Sequence, residues 1–486
     1  GSGVASLPTD LQPSSHPIPP PAFSLMHTIV PATRILAAAA VLTTLLAVRP
    51  LQAQTPEQKY TDWARLDFRP QEYEFRRDRL TDHIRESGGG ILLIPGGDGA
   101  PHGGTFRQLD DFWYLTGLEV PGSMLVLDSN PPGGSATLFM PARDARFENP
   151  GRRNDFPGRP LLNDYELRGI AGIGTYRDIS EFDAFLRERI AAGTPLRVNS
   201  GRVGEVPAPE PPLLGVMDPI ASMIFRLRAD YPGADFINAF ESMARVRMIK
   251  SPAETQHMQI AADATMAGIR AGADRVRAGV DERTIQGAFE EACRAFGSAA
   301  IPFTPIIKSG PNSLWPWRVL AAHYDRRNRP MESDELVILD VGCEVDGYIS
   351  DVGRTFPVGG TFTDIQREKM LVSTNAADAI IAAVRPGVTL AELTAIAYEN
   401  IPDHEEQYMQ TPSFFGHHIG MSSGDPALMD IPLEAGMVFT VEPWYYNHDI
   451  DIAVFVEDVI LVTEDGAEVL TSALPRTPEE LEAMIR

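Results

Sequence analysis

The sequence predicts a mixed α/β (α+β) protein with two folded domains behind an export leader, and three features carry that prediction. Residues 60–240 alternate short Val/Ile/Leu runs, such as GILLIP and SMLVLD, with amphipathic stretches such as 180–190, the pattern of an α/β domain. Past residue 244 the character turns to long helices. A helix-helix-strand-strand unit then recurs at a spacing of 108 residues. At roughly 150 residues per domain, a chain of 486 has length for two or three buried cores. Gly and Pro, 41 each, stay below the ~25–30% that marks low-complexity chains.

Charge and cysteine content narrow the partners. Lys and Arg number 42 against 66 Asp and Glu, a net charge of −24 that repels phosphate backbones and anionic membranes, so no nucleic acid is expected. Only Cys293 and Cys343 are present, 50 residues apart, so the sequence predicts no disulfide framework and assigns stability to core packing.

Residues 1–53 read as a leader and signal peptide, starting with a Pro- and Ser-rich stretch over 1–25 that is left out of the fold. From Met26 a short basic region ends at Arg34, and a 14-residue apolar run follows over 35–48, too short for the ~20 residues of a spanning helix. Leu51-Gln52-Ala53 offers a cleavage site. The expected mature chain starts near Gln54, is exported to a periplasmic or extracellular location, and keeps no stable membrane span.

The N-terminal α/β domain is expected over 54–244, interrupted by the Pro-rich VPAPEPP at 206–212. The second domain, over 245–486, opens on Ser251-Pro252-Ala253-Glu254, with Ser as N-cap, Pro at the first helical position and Glu at the third. A helical stretch ending in Val276-Arg277-Ala278-Gly279-Val280, with a following helix over 281–296, matches one ending in Val384-Arg385-Pro386-Gly387-Val388, with a helix over 389–400. Strands follow each pair, as in a duplicated core with a pseudo-two-fold axis and a cleft along it.

Acids interrupt the apolar strands of both halves. Leu336-Val337-Ile338-Leu339-Asp340 leads to Asp351 across an Asp346-Gly347 turn, a hairpin that brings the acids opposite within one residue of register. In the second half, Val438-Phe439-Thr440-Val441-Glu442 and Ile452-Ala453-Val454-Phe455-Val456-Glu457 repeat the pattern, and the pair His417-His418 lies between the halves in a Gly-flanked apolar segment. Carboxylates are almost never buried without compensation, and the sequence shows no comparable set of buried Lys or Arg. Four carboxylates and one neutral imidazole balance two divalent ions, with manganese the first expectation and cobalt, iron or zinc also compatible. Such a pair can share a bridging water of lowered pKa and polarise a carbonyl, which is hydrolytic chemistry.

At these residues the sequence resembles the pita-bread metallopeptidases, and within them the Xaa-Pro aminopeptidases (aminopeptidase P) and prolidases, over about residues 60–480. Phe106-Arg107-Gln108 with Asp111-Phe112-Trp113-Tyr114-Leu115-Thr116-Gly117 is similar to the family's N-terminal signature, and Arg247-Met248-Ile249-Lys250-Ser251-Pro252 to the entrance of its catalytic domain. The resemblance implies that Asp340 binds one metal, that Asp351 and Glu457 bridge, and that His417, with Gly420 after it, is the imidazole ligand. It makes Glu442 a ligand that also shuttles a proton, and His323 a catalytic residue that holds the substrate. It further implies peptide substrates with Pro second and a dimeric or tetrameric homo-oligomer. The chain departs from the family pattern at Ser413 and Gly424, where His is usual, and at Phe455, where Arg is usual. His418 is a candidate substrate-binding residue that could fill the space at 424, or a packing residue against Phe414 and Phe415. The leading expectation is a secreted dinuclear Xaa-Pro aminopeptidase. A prolidase-type dipeptidase, another hydrolase or lyase on this fold, and a non-catalytic binding protein are the alternatives.

Overall fold

The computed structural model of the protein describes residues 66–98, 106–131, 133–142, 162, 167–314, 328–409, 411 and 413–485. The expected leader over 1–53 and His323 lie outside them.

The N-terminal part runs α1 (Pro70–Glu86), β1 (Ile91–Pro95), α2 (Asp110–Thr116), β2 (Met124–Asp128), β3 (Ser135–Met140), α3 (Leu167–Ile170), β4 (Thr175–Asp178), α4 (Phe182–Ala191), β5 (Leu196–Val198), α5 (Pro219–Asp230) and β6 (Phe236–Asn238). Its six strands form one sheet in the order β4-β3-β2-β1-β5-β6. GILLIP and SMLVLD are its central antiparallel pair, with Ile91 opposite Asp128 and Pro95 opposite Met124. Both strands are buried along nearly their whole length, which is why they read as unbroken apolar runs and not as alternation.

The second part runs α6 (Phe240–Met248), α7 (Pro252–Ala273), α8 (Glu282–Ala295), β7 (Ile306–Ser309), β8 (Leu336–Val341), β9 (Glu344–Val345), β10 (Tyr348–Ile349) and β11 (Val352–Pro357). It then repeats the order of elements with α9 (Asp364–Ala383), α10 (Leu390–Glu399), β12 (Val438–Val441), β13 (Tyr445–Asn447), β14 (Ile452–Val454), β15 (Asp458–Val462) and β16 (Ala467–Val469), and ends in α11 (Pro478–Met484). Helix starts follow local chemistry. Ser251 Oγ accepts the Glu254 N–H at 3.2 Å while Glu254 returns a bond to the Ser251 N–H at 2.9 Å. Thr363 with Gln366 and Thr389 with Glu392 start α9 and α10 the same way, each cap contributing about 1 kcal/mol. α6 crosses position 245, and one apolar core continues from α1 and β1 through α7 to β12 and β15.

Two three-stranded antiparallel sheets, β11-β8-β7 and β12-β15-β16, form the strand layer of the second part. A backbone bridge between Gly353 and Glu457 joins them, with N–H to O bonds of 3.3 and 3.0 Å.

One sequence expectation is corrected here. Cys293 on α8 and Cys343, just after β8, form a disulfide with Cα atoms 5.5 Å apart. The crosslink ties α8 to the hairpin that carries Asp340 and Asp351, a proximity that a spacing of 50 residues does not reveal. Closing a loop of that length is worth about 2–4 kcal/mol through the unfolded chain. The Cys293→Ala/Cys343→Ala protein is expected to lose that amount in a urea titration, and an unchanged midpoint would show that the bond adds nothing.

Candidate metal centre

The Asp346-Gly347 turn forms as its sequence predicts, with φ of 50° and 79°, the positive pair of a two-residue hairpin loop. Its register places Asp340 opposite Gly353 and Val341 opposite Val352. Asp351 is therefore two residues from the position facing Asp340, one step beyond the expected tolerance. Because side chains alternate along a strand, an even offset keeps both acids on the same face as diagonal neighbours.

The other donors arrive from the second half. His417 is held by a bond from its own N–H to Thr440 Oγ1 (3.1 Å), and its Nε2 lies 3.6 Å from Asp351 and 3.5 Å from Glu442. Ligand atoms of Asp351, His417 and Glu457 fall within 4.8 Å of one another. Glu457 reaches that point because its backbone pairs with Gly353 and its carbonyl accepts from Arg354 Nη1 at 2.6 Å. Glu442, at the end of β12, accepts from Trp444 Nε1 at 3.1 Å. The adjoining Asp458 belongs to a different network, paired with Arg354 and Arg476.

Lys and Arg are in fact buried in number, contrary to the sequence expectation, but the described contacts place them elsewhere. Arg76 pairs with Glu72, Arg247 and Lys250 with Asp425, Arg354 with Asp458, and Lys369 with Glu405. Both oxygens of Glu457 and Oδ1 of Asp351 are buried with no hydrogen-bond partner among the described residues. Orphaned carboxylate oxygens beside an imidazole fit a divalent cation.

Burial, followed by the neighbouring carboxylates, pushes Asp351 and Glu457 well above the ordinary carboxylate range, and burial and then Glu442 do the same for Asp340. Burial also raises Glu442, against the pull of His417, Trp444 and Thr440. The sign of the pH effect follows. Without metal, the folded chain holds protons that the unfolded chain releases from about pH 4. Stability is thus present at low pH and is lost as pH rises toward the raised folded values. Thermal melts in EDTA are expected to fall between pH 5 and pH 8, and Asp351→Asn should flatten that slope. An unaltered slope in the variant rules out these acids as its source.

A pocket of about 660 Å³ adjoins the centre, lined by His417, His418 and Gly424 on one side and by Leu93, Asp110 and Asp111 of the N-terminal part on the other. Arg247 ties the two sides, with Nη1 2.7 Å from Asp111 and Nη2 2.5 Å from Asp425. Burial alone would raise Asp425, but Arg247 and Lys250 hold it below the usual carboxylate range. The residues flagged as departures have definite surroundings. Ser413 is exposed, Gly424 opens on empty space, and Phe455 is fully buried beneath Trp444. His418 is 2% exposed, with its ring 5.9 Å from that of Phe439, and burial pushes its pKa down to about 4. Thr440 and Trp444 are contributors that the sequence reading did not single out. The signal for Thr440 was its place two residues before an acid on the same strand face.

Buried acids and one imidazole, gathered where two antiparallel sheets meet, fit the donor set of a metal-dependent hydrolase. Residues 256–464 match metallopeptidase family M24, and residues 73–196 match the aminopeptidase P N-terminal domain. Xaa-Pro aminopeptidase 1 of Streptomyces coelicolor is 30% identical over 420 residues, covering 78% of this chain and 79% of that protein. Human Xaa-Pro aminopeptidase 3 is 29% identical over 410 residues, covering 78% and 76%. The structure of Escherichia coli aminopeptidase P with the inhibitor Pro-Leu shares the fold, with a TM-score of 0.68 at 24% identity, covering 86% of this chain and 98% of that one. The chain belongs to metallopeptidase family M24 and is a metallo-aminopeptidase with the pita-bread fold.

Proposed function

We propose that the protein releases the first residue from peptides with Pro in second place, using two divalent ions held by Asp340, Asp351, His417, Glu442 and Glu457. The convergence of Asp351, His417 and Glu457, with buried carboxylate oxygens lacking partners, carries this reading. The similarity to Xaa-Pro aminopeptidases supports the choice of bond. An X-Pro bond has no N–H on its nitrogen, so a dedicated pocket must recognise it. When bound, the ions supply a water of lowered pKa and a Lewis acid for the carbonyl. Glu442, oriented by Thr440 and Trp444, is the ligand placed to carry a proton, and an oxygen-rich set favours manganese. His323 is assigned to substrate holding by resemblance. Export is part of the proposal, and the Cys293–Cys343 pair, suited to an oxidising compartment, supports it. Homo-oligomerisation is also part of the proposal, and the nearly full exposure of Leu213 and Val216 supports it.

The test is a peptide panel with manganese-loaded protein. Ala-Pro-Ala should release Ala, whereas Ala-Ala-Ala should not. Turnover of Ala-Pro alone would move the assignment to a prolidase-type dipeptidase, and ion binding without turnover of either would favour a binding protein. Gly424 adds a sharper prediction. A Cβ there meets nothing within 4 Å, so a side chain fits. If a polar group that stabilises developing charge is missing, Gly424→His should raise kcat on Ala-Pro-Ala about tenfold or more. His418→Phe should leave kcat unchanged if His418 only packs against Phe439. A large loss in His418→Phe, with no gain in Gly424→His, would show that His418 already supplies the group.

A further inference from the structure

We propose that Trp444 is a positioning residue for Glu442 and that Phe455 is the surface holding Trp444 in that role. The inference rests on the reading of Glu442 as a metal ligand. Glu442 follows the last residue of β12 and precedes Pro443, which has no N–H to offer, so its carboxylate depends on side chains for orientation. One oxygen faces His417 Nε2 and Thr440 Oγ1, both at 3.5 Å. The other accepts from Trp444 Nε1 at 3.1 Å, the shorter and better defined contact. An indole N–H donates only, so it can fix one lone pair of the carboxylate without competing for a cation.

The indole is itself fixed by stacking. Its ring lies on Phe455 at a centroid distance of 3.5 Å and 20° between planes, and on Tyr446 at 5.3 Å and 8°. Phe455 is immobilised in turn. Thr355 Oγ1 accepts from the Phe455 N–H at 2.8 Å and donates to its carbonyl at 2.9 Å. The ring of Phe455 rests on Gly353 so closely that a Cβ there would lie 1.9 Å from it. Contacts therefore run from β11 through Phe455 and Trp444 to Glu442, and Phe455 stands two residues before Glu457. At this position Phe455 gives the indole an aromatic face to pack on.

Trp444→Phe keeps an aromatic ring and removes the donor. Its kcat on Ala-Pro-Ala is expected to fall about ten- to hundredfold, as for other groups that orient metal ligands, with KM within about twofold. Calorimetric titration of the metal-free protein with Mn²⁺ should show one of its sites weakened by a similar factor. Phe455→Ala should act in the same direction, and Trp444→Phe/Phe455→Ala should be little worse than Trp444→Phe, because both act through one hydrogen bond. Wild-type kcat and Mn²⁺ affinity in Trp444→Phe, while Glu442→Ala loses both, would overturn the positioning role alone. Retention of both in Glu442→Ala would overturn the ligand reading, and this inference with it.

Discussion

Asp351→Ala and Glu457→Ala are each expected to empty the centre of both ions and to lower turnover of Ala-Pro-Ala by about a thousandfold or more. Each carboxylate is read as bridging, so its loss leaves both ions short of a ligand. The several kcal/mol a metal supplies to a polarised carbonyl convert to that factor at 1.36 kcal/mol per decade. The fold should survive. The Glu457 backbone is pinned to Gly353 and Arg354 independently of its side chain, and Asp351 lies on a hairpin closed by its own turn. A second expectation separates loss of metal from damage. Removing one member of a buried cluster of acids relieves repulsion, so each variant should melt no lower than the metal-free wild type, yet well below the loaded one. Elemental analysis gives the stoichiometry, and two ions retained in either variant would refute the bridging assignment.

Asp425→Ala is expected to destabilise the protein by about 3–5 kcal/mol, the usual result of leaving a buried charge unpaired. Asp425 is the partner of two buried cations, Arg247 at 2.5 Å and Lys250 at 3.1 Å, and also accepts the Met421 N–H at 3.2 Å. The cost should be partly reversed by Lys250→Met, since residues in one network are not additive. Urea titrations of both single variants and the double measure this directly. If the single effects simply add, the shared network is not the cause. The change should reach the active site too. Arg247 also holds Asp111 of the N-terminal part, and Arg107 Nη2 donates to the Met421 carbonyl at 3.0 Å. The segment after His417 is thus braced from outside the catalytic half.

These contacts show what was legible in the sequence and what was not. The capped start at Ser251 could be read because a cap is a local interaction over four residues. The hairpin could be read because Asp346-Gly347 suits two consecutive positive φ angles. A two-residue loop at 346–347 also sets the register that places Asp340 opposite Gly353, two residues from Asp351, which the broader expectation of near-opposition did not resolve. The acids stood out because they are the charged members of otherwise largely apolar strands. Trp444 was hidden in an aromatic run that reads as core, and its partner Phe455 comes from beyond the β13–β14 turn. Cys293 and Cys343, like Arg247 and Asp425, meet only because separate elements pack together. Pairings of that kind depend on tertiary contacts, and spacing alone carries no record of them.

The seam between Gly353 and Glu457 also has a bearing on how the enzyme matures. The acids of the first half leave the ribosome well before Glu442 and Glu457, and until the second half is complete they have no imidazole and no opposing carboxylates. Neither half holds all five of the proposed ligands by itself. On the proposed ligand set, the complete centre therefore waits for the whole chain. In a cell that translocates the protein unfolded, the identity of the ion would be decided by the metal supply at the destination and not by that of the cytoplasm where the chain is made.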